Sequence, residues 1–96
     1  MVSVQEFAGI TRRVIAKDGF DDYLPTALYP ARKHIVVLEG CPEDAELEPI
    51  AVAWATKNAV ANEEFLVAFK VGRESFKVVR VCEGEREEAT FHVGPE

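Results

Sequence analysis

Phe65 to Cys82 reads FLVAFKVGRESFKVVRVC. Two runs of aromatic and β-branched residues flank one short polar break, which is the signature of a β-hairpin. In the first run Phe65, Val67 and Phe69 alternate with Leu66, Ala68 and Lys70. The second run extends from Phe76 to Cys82. A four-residue loop would set Lys70 opposite Lys77, and like charges directly opposed are destabilising. A two-residue turn at Gly72-Arg73 places glycine where a type II′ turn needs it. It also pairs Phe69 with Phe76 and Val67 with Val78, and is the preferred register. Glu83 to Glu88 reads as a solvated turn. Ala89, Phe91 and Val93 then alternate with Thr90 and His92 as a last strand. The final third is thus expected to be a three-stranded antiparallel meander.

Upstream, residues 41–62 read CPEDAELEPIAVAWATKNAVAN. Leu47, Ile50, Ala51, Trp54 and Ala55 fall at helical spacing. Acids crowd the start and Lys57 lies near the end, as a helix dipole prefers. Residues 50–55 also alternate as a strand would, and Pro49 demands a kink or a fresh start. Helix is chosen, because a strand would leave two long structureless connections. His34 to Leu38 is a continuous apolar run, expected as an interior strand covered on both faces. Residues 20–33 contain Pro25 and Pro30, which argue against a long helix or a central strand. They are expected to form a loop packed over the core edge. At the N-terminus Ser3 and Glu6 make a capping box, with Val2 and Phe7 as a hydrophobic staple. Phe7, Ile10 and Val14 follow as a stripe, and Gly19 suits a C-terminal cap. A helix over about 3–17 is expected, with Gly9 leaving room for a close approach.

The fold class is therefore α+β. We expect a single domain over 1–96, with an N-terminal helix and a second helix on one face of an antiparallel sheet of about four strands. The expected core is Phe7, Ile10, Val14, Val36, Leu38, Trp54, Phe65, Val67, Phe69, Phe76, Val78 and Phe91.

The composition bounds function mainly by exclusion. With 96 residues, 48% of them hydrophobic and 29% charged, the chain is an ordinary globular domain. The net charge of −6 argues against nucleic acid as a partner. No apolar run approaches the roughly 20 residues of a membrane span, so no membrane partner is expected. Two cysteines are too few for a disulfide scaffold, and a cytoplasmic location is expected. Charge is uneven along the chain. Residues 1–34 hold five bases and four acids, net +1; residues 35–64 hold one base and seven acids, net −6; residues 65–96 hold five bases and six acids, net −1.

No catalytic motif is found and no cofactor is expected. His34, Cys41, Cys82 and His92 have spacings unlike any compact zinc site. Cys41 before Pro42 is the best nucleophile candidate, with His34 as its possible base. Six single glycines make no phosphate cradle. Two surfaces are candidates for a partner. One is the acidic run Glu43, Asp44, Glu46 and Glu48, suited to a basic protein. The other is the apolar set Phe20, Tyr23, Leu24, Leu28 and Tyr29, which a homodimer could bury. The function expected is a small acidic, non-enzymatic interaction module of adaptor, inhibitor or immunity type. The alternative is a small-ligand domain with a pocket between the sheet and the 20–30 loop, around Tyr23, Tyr29 and Trp54.

Overall fold

A computed structural model of the chain describes residues 2–19, 23–39, 47–60, 63–72 and 74–93. The chain folds as α1 (Val4–Asp18), β1 (Thr26–Tyr29), a 3-10 turn (Pro30–Arg32), β2 (His34–Val37), α2 (Leu47–Asn58), β3 (Phe65–Lys70), β4 (Ser75–Cys82) and β5 (Glu85–His92). All five strands form one antiparallel sheet in the order β2-β1-β3-β4-β5. The α+β class holds, with five strands instead of about four.

β3 lies at the centre and is buried on both faces. Phe65 is 2% exposed, and Leu66, Val67, Ala68 and Phe69 are fully enclosed. Alternate residues of a strand point to opposite faces. Leu66 and Ala68 join Val4, Phe7, Ala8 and Ile15 of α1, with Leu28, Phe76 and Val78. Phe65, Val67 and Phe69 join Ala51 and Ala55 of α2, with Ala27, Tyr29 and Val79. The two helices therefore cover opposite faces, not one shared face as expected. The alternation of β3 hid this, because Leu66 and Ala68 are apolar as well as Phe65, Val67 and Phe69.

α1 begins as its sequence implies. The Ser3 hydroxyl accepts from the Glu6 amide at 3.0 Å, and the Ser3 amide donates to Glu6 Oε1 at 3.4 Å, closing the capping box. Gly19 takes φ +91° and its amide donates to the Ile15 carbonyl at 2.8 Å. The buried stripe is Val4, Phe7, Ala8, Thr11 and Ile15. It is rotated from the expected one, leaving Ile10 partly buried and Val14 exposed. No close approach occurs at Gly9: a methyl group there would meet no packed neighbour within 4 Å.

α2 accommodates Pro49 in its first turn, where an amide has no helical partner anyway. Small Ala51 and Ala55 face the sheet, and Trp54 flanks them half-buried.

β1 is the main departure from expectation. Thr26 to Tyr29 pairs with both β2 and β3, so a proline-flanked segment forms an interior strand. Pro25 and Pro30 bracket these four residues without interrupting them, so no ladder amide is lost between them. The reverse error applies to β2. It is an edge strand and mostly exposed, because residues 26–29 took the interior place. Of the expected core residues, Val36, Leu38 and Phe91 are only partly buried.

The β3–β4 register also differs. Phe69 faces Lys77 and Lys70 faces Phe76, one residue from each register weighed above. Three residues, 72–74, separate Val71 from Ser75, whose carbonyl accepts from the Val71 amide at 3.1 Å. This register avoids the lysine pair and sends Phe69 and Phe76 to opposite, equally buried faces. The turn expected over 83–88 is only Glu83-Gly84, with φ +51° and +83°. Both central residues adopt positive φ, as the tightest hairpin turns do, so pairing resumes at Glu85.

Two stability outcomes follow. Gly9→Ala should raise stability by about 0.5–1 kcal/mol, since helix propensity improves and the space is open. Phe69→Ala should lower it by about 3–5 kcal/mol, from lost transfer energy and the cavity left in β3. Denaturant titration of both variants against the parent measures these changes.

Candidate functional site

The acidic run is represented among the described residues by Glu48 alone; Glu43, Asp44 and Glu46 lie outside them, as do Phe20 and Cys41. Glu48 sits in the first turn of α2, within reach of β4 and β5. Lys77 Nζ donates to Glu48 Oε1 at 2.7 Å and contacts Glu88 Oε1 at 2.8 Å. Arg86 donates to Glu48 Oε2 at 2.7 Å through Nη2 and to Glu88 Oε2 at 2.9 Å through Nε. Two acids and two bases thus form a closed ring that joins α2 to β4 and β5. Their placement follows from pairing: Lys77, Glu88 and Arg86 share the face that α2 covers.

A second charged cluster closes the other end of α2. Arg32 forms a two-pronged pair with Glu63, from Nε to Oε2 at 2.7 Å and from Nη2 to Oε1 at 2.8 Å. Arg32 Nη2 also donates to the Asn58 carbonyl at 3.1 Å. Its guanidinium lies 4.7 Å from the Tyr29 ring centre, and the Tyr29 hydroxyl donates to the Ala55 carbonyl at 2.7 Å. Glu63 accepts as well from the Val60 amide at 3.1 Å. A third pair joins Arg80 to Glu64. These contacts are structural: each cation meets an acid or carbonyl from another part of the chain.

The five apolar candidates divide. Tyr23, Leu28 and Tyr29 are buried within the chain, so they need no second copy to cover them. Leu24 is exposed. Tyr23 belongs to the cluster under α1, where its hydroxyl is buried near Thr11 and Thr26 and burial raises its pKa. Tyr29 and Trp54 belong to the cluster under α2, across the sheet. The three aromatics of the alternative ligand pocket therefore do not converge on one cavity.

Among the described residues, no three His, Cys, Asp or Glu side chains gather as metal ligands. His34 and His92 stand on opposite edge strands, β2 and β5. Cys82 is a half-buried free thiol at the β4–β5 turn. One contact was not anticipated. Ser75 Oγ lies 3.1 Å from His92 Nδ1, as directly opposed partners of β4 and β5. The Glu83-Gly84 turn sets this pairing, so the register of the last hairpin was the signal for it. Arg12 donates to the His92 carbonyl at 3.2 Å and stacks 5.6 Å from the Phe91 ring centre. A working nucleophile needs its base oriented by a third group. Among the described residues no side chain binds the second nitrogen of His92.

The two sheet edges contrast in chemistry. β5 carries Glu85, Arg86, Glu87 and Glu88, the charged protection common at exposed edges. β2 carries His34, Ile35, Val36 and Val37, with Ile35 56% and Val37 47% exposed. β2 is therefore an open, apolar edge whose outer backbone groups have no strand partner among the described residues.

In comparisons with known proteins, no family model, curated protein or solved structure matches the chain. No described helix is long and apolar enough to cross a membrane.

The charged clusters make acid stability testable. Hydrogen bonds from Arg32 hold Glu63 below the ordinary glutamate value of 4.5, and those from Lys77, then Arg86, do the same for Glu88. A carboxylate with a depressed pKa binds fewer protons folded than unfolded. Its contribution is complete above 4.5 and is lost as pH falls through the folded value. Glu63→Gln with Glu88→Gln should flatten the fall in thermal midpoint below pH 4.5 and lower the midpoint at neutral pH. At neutral pH and low salt, Glu48→Gln should cost about 0.5–1 kcal/mol, and less as salt is added, because the ring is partly exposed.

Proposed function

We propose that this chain is a non-enzymatic protein-interaction module, of adaptor, inhibitor or immunity type, that works through the open β2 edge. The observation that carries this reading is the exposure of Ile35 and Val37 on an edge strand that has no outer partner among the described residues. An extended segment added to a sheet edge gains main-chain hydrogen bonds, and side-chain contacts on alternate residues add selectivity. The contrast with β5 supports the choice of edge, since one edge is guarded by charge and the other is not. Glu48 already pairs within the chain, so the acidic run has less free charge for a basic partner than its sequence suggests.

Ile35→Lys with Val37→Lys tests this reading. Both positions are exposed, so the thermal midpoint should stay close to that of the parent. Used as bait in a lysate of the source cells, the parent should retain proteins that the variant loses. Identical retained sets would refute the reading.

A further inference from the structure

We infer that the partner of the β2 edge is a second copy of this chain, paired antiparallel about a two-fold axis through Val36. This rests on the reading of β2 as an interaction edge and commits it to one occupant and one register.

The backbone fixes which groups are available. The Leu38 amide donates to the Pro25 carbonyl at 2.8 Å, so Leu38 turns its backbone toward β1. In an antiparallel ladder this direction alternates along the strand. His34 and Val36 therefore also face β1, across from Tyr29 and Ala27. Ile35, Val37 and Glu39 present their amides and carbonyls outward.

An added antiparallel strand must match outward groups with outward groups. A two-fold axis at Val36 does so: Ile35 of each copy lies opposite Val37 of the other, and each such pair exchanges both hydrogen bonds. A strand also places its odd-numbered neighbours on one face. Ile35 and Val37 point to the face of Leu28 and Thr26, their partners on β1. On that face α1 packs chiefly over β3, β4 and β5, and Ile35 and Val37 stay exposed. The dimer would bring the exposed Ile35 and Val37 of both copies together there.

The ends of the strand are self-complementary in charge. The same axis brings the Lys33 end of one strand beside the Glu39 end of the other, twice over. Lys33 takes φ +51° and its amide donates to the Pro30 carbonyl, so it flanks the ladder through its side chain and does not pair within it. Both residues are exposed, and neither side chain is in an ion pair among the described residues. Axes at Ile35 or Val37 also match outward groups, but they shorten the paired stretch and separate Lys33 from Glu39. A head-to-tail contact between β2 and β5 would not close, because each copy would keep one free edge.

Sedimentation equilibrium of the full chain, from low to high micromolar, tests the inference. The parent should dimerise. Ile35→Lys with Val37→Lys sets like charges opposite each other in this register and should raise the dimer dissociation constant by roughly tenfold or more. Ile35→Glu with Val37→Lys places each new acid opposite a new base of the other copy. It should restore the dimer and make it weaken with salt. Thermal midpoints close to the parent establish that both variants fold. A monomeric parent at high micromolar concentration overturns the inference, and so does a dimer that the two lysines leave intact. A dimer lost with both variants overturns the Val36 axis. If the parent is monomeric yet its edge variant still loses captured proteins, the second copy is excluded while the interaction reading survives.

Discussion

Burial of β3 on both faces is the constraint on which the rest of this structure depends. Phe65 to Phe69 are essentially removed from water, and no single helix can cover both sides of a strand. One face must take α1 and the other α2. The order β2-β1-β3-β4-β5 puts a strand on each side of β3, which satisfies its backbone groups as well as its side chains. The tie from the Tyr29 hydroxyl to the Ala55 carbonyl then joins β1 directly to α2.

Charge is arranged around this core as internal complementarity. The acid-rich middle third supplies Glu48, Glu63 and Glu64, and each pairs with a base from another third of the chain: Lys77 and Arg86, Arg32, and Arg80. Part of the asymmetry that suggested an acidic recognition face is therefore docking charge. These partly exposed pairs contribute modestly to stability, but they orient α2 against the sheet. Away from these pairs, the β2 edge leaves Ile35 and Val37 in the open.

The candidate site was only partly legible. Leu24, Leu28, Tyr23 and Tyr29 were singled out as too apolar for a loop, and three of them prove to be core. The apolar composition does mark a covered segment, but Pro25 and Pro30 locally signal a loop. Once Thr26 to Tyr29 occupied the interior, His34 to Val37 was displaced to the edge. The residues that matter for the proposed edge were thus read in sequence as a strand, and assigned to the wrong place in the sheet. The Ser75–His92 contact was missed for a similar reason, since it depends on a two-residue turn that the run of charges at 83–88 concealed.

The sequence by itself determined what is local. Ser3 and Glu6 cap α1 within one turn, Gly19 ends it, and the helical spacing of Leu47, Ala51 and Ala55 outweighs the competing alternation. Such signals act over a few residues and need no distant partner. The tertiary structure alone decided strand order, hairpin register and the side of the sheet on which each helix lies. A one-residue slip exchanges the two faces of a strand, and the sequence opposes that slip only when one face is polar. In β3 both faces are apolar, so local pattern could not choose between them. Contacts from α1, far away along the chain, and from α2, the element just before β3, made the choice.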